Sequence, residues 1–156
     1  MNSTQQIAKH LRQLYFGGNW ACSNFKDTLE NVSWQEAQTT VHSLNSILTL
    51  VYHTNYYVGI LTRVLQGKAL SGNDKESFEH PPLKSQHDWD VLLPKLWEEV
   101  ESLATLIEQI PEEKLWDIFS EEKYGIYYRH LLGIIEHGHY HLGQIALIKK
   151  LIKSGV

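Results

Sequence analysis

The stretch Ile126 to Lys153, IYYRHLLGIIEHGHYHLGQIALIKKLIK, decides the fold. It holds no proline, and its apolar residues recur every three or four positions, which predicts one long helix. With His137 as reference, Ile126, His130, Ile134, Gln144, Ile145, Ile148, Leu151 and Ile152 all fall within about 80° of it at 100° per residue. His141 lies about 40° away and one turn along, so the two imidazoles reach toward one point on the inward face. A second apolar arc of Leu131, Ile135, Leu142 and Ala146 stands on the other side. A bundle helix apolar on two sides must bury the extra surface against another helix or a partner chain, which raises the expectation of a homodimer.

Outward from this helix the chain reads as further helices. A short amphipathic piece, 112–119, precedes Gly125. Before it, Ser85 and Asp88 have the spacing of an N-cap, and Leu92, Leu96, Val100, Leu103, Ile107 and Ile110 follow at helical intervals up to Pro111. The segment 67–87 carries Gly72, Asn73, Pro81 and Pro82 and reads as a crossover rather than a tight turn. Ser33 and Glu36 have capping-box spacing, and Trp34 to Leu65 has Gly59 as its only glycine and no proline. One helix of roughly 48 Å is predicted there. The first helix, Ser3 to Phe16, opens on Ser3-x-x-Gln6 and stops at Gly17-Gly18. No segment alternates with period two as a strand would. The expected fold is therefore all-α: a four-helix bundle in one domain, 1–156, with a long crossover between its second and third helices.

Composition narrows the function. Fourteen Lys and Arg against 18 Asp and Glu give a net charge of -4, so no basic patch draws a phosphate backbone and nucleic acid is not expected as a partner. No apolar run reaches membrane-spanning length, and the N-terminal residues lack a signal-peptide pattern, so no membrane association and a cytoplasmic location are expected. The single cysteine, Cys22, excludes an intramolecular disulfide and a Cys-rich zinc site, and reads as a small buried filler.

Nine histidines are the unusual feature. His53, in Val51-Tyr52-His53-Thr54-Asn55-Tyr56-Tyr57, shares a stripe with Leu50, Tyr57, Ile60, Leu61 and Val64, so it too points inward and joins His137 and His141 as a third ligand candidate. His42 and Ser46 continue that stripe, but His42 lies about 16 Å along the helix from His53. His130 lies about 10 Å below His137 along the axis, and His139 points about 200° away from it. His10, His80 and His87 read as surface or loop. Three neutral imidazoles suit a divalent ion such as Ni²⁺ or Zn²⁺, and a site with three protein ligands leaves a position at which water or a thiol is activated. Tyr56 and Tyr57 flank the site. No HExxH, P-loop or nucleophile elbow is present, and Glu136 stands about 100° off the metal face.

His53 followed by aromatic residues, together with His137-x-x-Tyr140-His141-x-Gly143-Gln144-Ile145, resembles the DinB-like family, which includes the YfiT-type metal-dependent proteins. The resemblance implies an up-down-down-up bundle, usually dimeric, with a divalent metal on a triad that maps to His53, His137 and His141. It also implies a small-molecule substrate, since members include S-transferases that use low-molecular-weight thiols. Arg63 and Arg129 are the candidates for a carboxylate on such a thiol, with surface solvation as the competing role. Two functions follow: a metal-dependent enzyme of hydrolysis or S-transfer, or a non-catalytic bundle in which the ion clamps helices or a pocket senses a ligand. In a third arrangement no ion binds, and the histidines hydrogen-bond to groups such as Ser46 or Tyr57.

Overall fold

The computed structural model describes residues 1–155; the domain expected over 1–156 includes Val156, which lies outside the described residues. The chain is all-helical. Its α-helices are α1 (Ser3–Phe16), α2 (Phe25–Leu29), α3 (Trp34–Gln38), α4 (Ile47–Leu65), α5 (Gln86–Gln109) and α6 (Tyr127–Ser154), and 3₁₀ turns cover Lys75–Phe78, Glu112–Trp116 and Glu122–Tyr124. Among the described residues there is no strand beyond one isolated bridge between Ile118 and Ile126.

The helix starts show why these segments fold where they do. Ser85 accepts from the Asp88 N–H while Asp88 reaches back to the Ser85 N–H, a reciprocal cap that sets α5. Pro94 lies inside α5 on its exposed side and the helix runs through it. At α1 the capping pair is Asn2 with Gln5, one residue earlier than the expected Ser3 and Gln6. Asn carries the acceptor at cap length, which frees Ser3 to bond Glu112 beyond α5.

The four longest helices surround one core. α1 packs on α5 and α6, and α4 packs on the same two. Arg12 pairs with Glu101 and Glu108, Asn55 bonds Glu99, and Gly138 of α6 meets Leu14 of α1. Trp89 is the largest fully buried side chain, and its indole N–H donates to the Val32 carbonyl at 3.0 Å.

The structure corrects several expectations. The single helix over 34–65 is two helices separated by 39–46. The β-branched run Thr39-Thr40-Val41 disfavours helix, Thr39 is extended, His42 adopts φ +51°, and the Ser46 hydroxyl starts α4 afresh by accepting from the Thr49 N–H. His42 is consequently exposed in a loop instead of continuing the His53 stripe. Between α1 and α3, α2 covers Phe25–Leu29, and its Phe25 stacks on Tyr15. Cys22 is exposed at φ +51°, not buried. On the second arc of α6, Leu131, Ile135 and Leu142 are buried within the chain and Ala146 is half-buried, and α6 packs on both α1 and α2. That arc therefore needs no partner chain, and the argument for a dimer built on it falls away.

Candidate metal centre

α4 and α6 bring His53, His137 and His141 together. The Nε2 atoms of His53 and His141 each stand 3.0 Å from Nε2 of His137. His53 and His141 are buried and His137 is half-buried. Two imidazole nitrogens bound to one ion at about 2.1 Å stand roughly 3.0–3.4 Å apart for angles between right and tetrahedral, so these two spacings fit a shared cation, and all three ligand atoms lie within 4.8 Å of one another.

Proton accounting gives the same result. Ser77 donates its hydroxyl to the Asp74 carbonyl at 2.5 Å, so its oxygen accepts from Nδ1–H of His53 at 2.7 Å. Nδ1–H of His141 donates to Oε1 of Gln144 at 2.7 Å. With both Nδ1 atoms protonated, His53 and His141 turn the lone pairs of Nε2 toward His137. Nδ1 of His137 is buried without a partner. If the His137 proton sits on Nε2 it serves one of the two facing lone pairs well. On Nδ1 the proton itself is stranded, and three lone pairs converge. Either tautomer leaves more than one buried polar atom unmet, and a divalent cation at the convergence satisfies the three Nε2 atoms at once, with only the His137 Nδ1–H left without an acceptor. Burial first, then the neighbouring His141 and His53, press the His137 imidazole down to about 4. Burial also lowers His53 and His141. The triad is thus neutral at pH 7, the form that binds metal.

The surroundings of the triad come largely from the crossover. The 3₁₀ turn at Lys75–Phe78 lays Ser77 under His53 and stacks the Phe78 ring on the His53 ring at 4.1 Å. Tyr57 packs edge-on against both His53 and His137, at 5.2 and 5.0 Å. Its hydroxyl donates to Asp74 at 2.6 Å, and burial together with that carboxylate pushes the phenol up to about 12.

His137 opens on a cleft of about 510 Å³ walled by Tyr57, Leu61, Asp74, Arg129, Gly133 and Ile134. Gly133 widens it, since a Cβ there would meet nothing within 4 Å. A cleft of similar size, about 530 Å³, lies between α1 and α6 beside Trp20 and holds none of the triad.

The other residues singled out from sequence lie elsewhere. His130 donates to the Tyr124 carbonyl at 2.7 Å and stacks on Phe119, in the cleft wall but away from the nitrogens. His139 faces His10, with ring centroids 6.0 Å apart. His80 bonds Thr49, and His87 is exposed. Tyr56 turns to Glu76 and the Asn73 N–H rather than to the triad, and Ser46 is spent on its cap. Gln144 meets His141, while Tyr140 is exposed with its ring 4.9 Å from that of His141. Arg129 pairs with Glu136, both exposed, and Arg63 reaches the Ser71 carbonyl. Ser77, Phe78 and Asp74 were missed because the crossover has no periodicity to place them. The one available signal was that a neutral His ligand needs an acceptor for its second nitrogen. Compared with protein-family profiles, curated proteins and solved structures, the chain matches none.

Proposed function

We propose that this protein is a divalent-metal-dependent enzyme in which His53, His137 and His141 hold Ni²⁺ or Zn²⁺ at the floor of a cleft for a small-molecule substrate. The observation that carries the reading is the convergence of three Nε2 atoms, with Nδ1 of His53 and His141 taken by Ser77 and Gln144 and Nδ1 of His137 without a partner. An ion on three imidazoles supplies Lewis acidity that makes water or a low-molecular-weight thiol nucleophilic near neutral pH. The chain's own residues set the stage for this chemistry. Ser77 and Gln144 fix the tautomers of their histidines, Phe78 and Tyr57 keep water from the His53 ring, and Leu61 and Ile134 give the cleft an apolar wall.

The resemblance to the DinB-like family belongs to this proposal, as does an up-down-down-up four-helix bundle of α1, α4, α5 and α6. Supporting that topology, Arg12 of α1 meets Glu101 and Glu108 while Ser3 meets Glu112, as in an antiparallel pair with α5. His53 meets His137 and His141, and Leu61 shares a wall with Ile134, as in an antiparallel pair of α4 and α6.

The test is hydrolysis and thiol-transfer assays on metal-loaded protein, chelator-treated protein and Gly133→Leu, whose side chain would project into the cleft one turn before His137. Turnover that needs the ion and is lost in Gly133→Leu while the ion is retained supports catalysis in the cleft. An ion held equally in both proteins, with no turnover across ester, amide and thiol-transfer substrates, would instead assign it to clamping α4 to α6.

A further inference from the structure

The cleft at His137 continues past the triad. A second chamber of about 280 Å³ shares Tyr57, Leu61, Asp74 and His130 with it, so the two adjoin along these side chains, and His137 lines the first alone. Beyond the shared wall the lining is Ile60, Leu70, Phe119 and Tyr124, drawn from α4, the crossover and the segment leading into α6. The crossover is pressed onto α4 here, as a Cβ on Gly72 would lie 2.4 Å from the Ile60 Cδ1. A cavity of roughly 150 Å³ already admits benzene, so this chamber has room for an aryl ring and a short linker.

Charge sets what the arm can be. Asp74 is the one charged side chain among the described residues lining the second chamber, and its carboxylate faces the junction where it accepts from Tyr57. The nearest cation in the adjoining cleft, Arg129, is paired at the rim with Glu136. An anionic arm would meet Asp74, and the cations nearby are already engaged, Arg129 with Glu136 and Lys123 with Glu121, whereas an uncharged apolar arm would bury its surface against Leu70, Phe119 and Tyr124.

Building on the metal-dependent reading above, we infer that the substrate is an elongated molecule whose reactive end lies at the triad and whose other end is an uncharged apolar or aryl arm in this second chamber.

The test is calorimetric titration of the Zn²⁺-loaded full chain with acetohydroxamate, 4-phenylbutanohydroxamate and the monohydroxamate of succinate. These share one metal-binding head and differ in the arm. The phenyl compound is expected to bind at least tenfold tighter than acetohydroxamate and the carboxylate compound no tighter. In Leu70→Ser, at a half-buried position, and Tyr124→Ser, at an exposed one, the ratio between the phenyl compound and acetohydroxamate should collapse toward one. Equal affinity of the phenyl and methyl compounds, preference for the carboxylate arm, or a ratio unchanged in both variants overturns the inference and leaves the metal reading standing. Failure of the chain to take up Zn²⁺, or of acetohydroxamate to bind the loaded chain, overturns the metal reading and this inference with it.

Discussion

Replacing Ser77 by Ala isolates the contribution of the crossover to the triad. The Ser77 oxygen accepts from Nδ1–H of His53 at 2.7 Å, and both residues are buried, at 1% and 4% exposure. Water therefore cannot take the place of the missing hydroxyl. Ser77→Ala strands the His53 N–H and also removes the donor to the Asp74 carbonyl. An unmet buried polar group costs about 1–3 kcal/mol, and loss of the acceptor behind a metal-binding histidine weakens affinity roughly 10–100-fold. We expect the dissociation constant for Zn²⁺, read by competition with a chromophoric chelator, to rise within that range. Urea denaturation of the metal-free variant should show a stability loss of about 1–3 kcal/mol. Ser102→Ala is the control, because that hydroxyl also bonds a carbonyl, at 2.8 Å, but on the exposed face of α5. Zn²⁺ affinity in Ser77→Ala within twofold of wild type, with stability alone reduced, would refute the assignment of Ser77 to holding His53 for an ion.

Further expectations concern packing and pH. Gly138→Ala would put a Cβ 2.4 Å from Leu14 Cδ2 at the α1–α6 contact. Overpacking of about 1–3 kcal/mol, against roughly 1 kcal/mol of helix propensity gained, leaves a net destabilisation of up to about 2 kcal/mol, relieved in the double variant with Leu14→Ala; additive losses in urea melts would count against the contact. Trp89→Phe removes the donor to the Val32 carbonyl and leaves a gap, for a loss of about 1–3 kcal/mol in the same assay, and an unchanged midpoint would contradict it. Acid should weaken the metal-free protein through His137. Its folded imidazole titrates at about 4 against an ordinary 6.5. Below 6.5 the unfolded chain takes up a proton that the folded one refuses, so this contribution is complete above 6.5 and is lost as pH falls through 4. Denaturant titrations across that window should show a slope that shrinks in His137→Gln, and equal slopes would contradict the burial of this ring.

Much of the site was legible because helical spacing is rigid. His137 and His141 one turn apart on an apolar stripe, and His53 on another, could be aimed at each other without knowing how the helices pack. The same arithmetic failed over 34–65, where the absence of Pro and of any Gly but Gly59 suggested continuity. The interruption came from a β-branched run followed by Ser46, whose hydroxyl competes for the backbone and begins a new helix. The second arc of α6 showed the limit of reading one helix alone: its pattern demanded burial but could not say whether α1 or another chain supplied it. Ser77, Phe78 and Asp74 were not legible at all, since a crossover with no period is placed only by what it packs against.

The most direct measurement is the divalent ion content of untagged protein by inductively coupled plasma mass spectrometry, for wild type beside His53→Ala, His137→Ala and His141→Ala. One ion per chain in wild type, lost in all three variants while each remains helical by circular dichroism, is the predicted result. Wild type that holds no ion after incubation with Ni²⁺ or Zn²⁺, or variants that hold as much as wild type, would contradict the account and leave the three imidazoles as a hydrogen-bonded core.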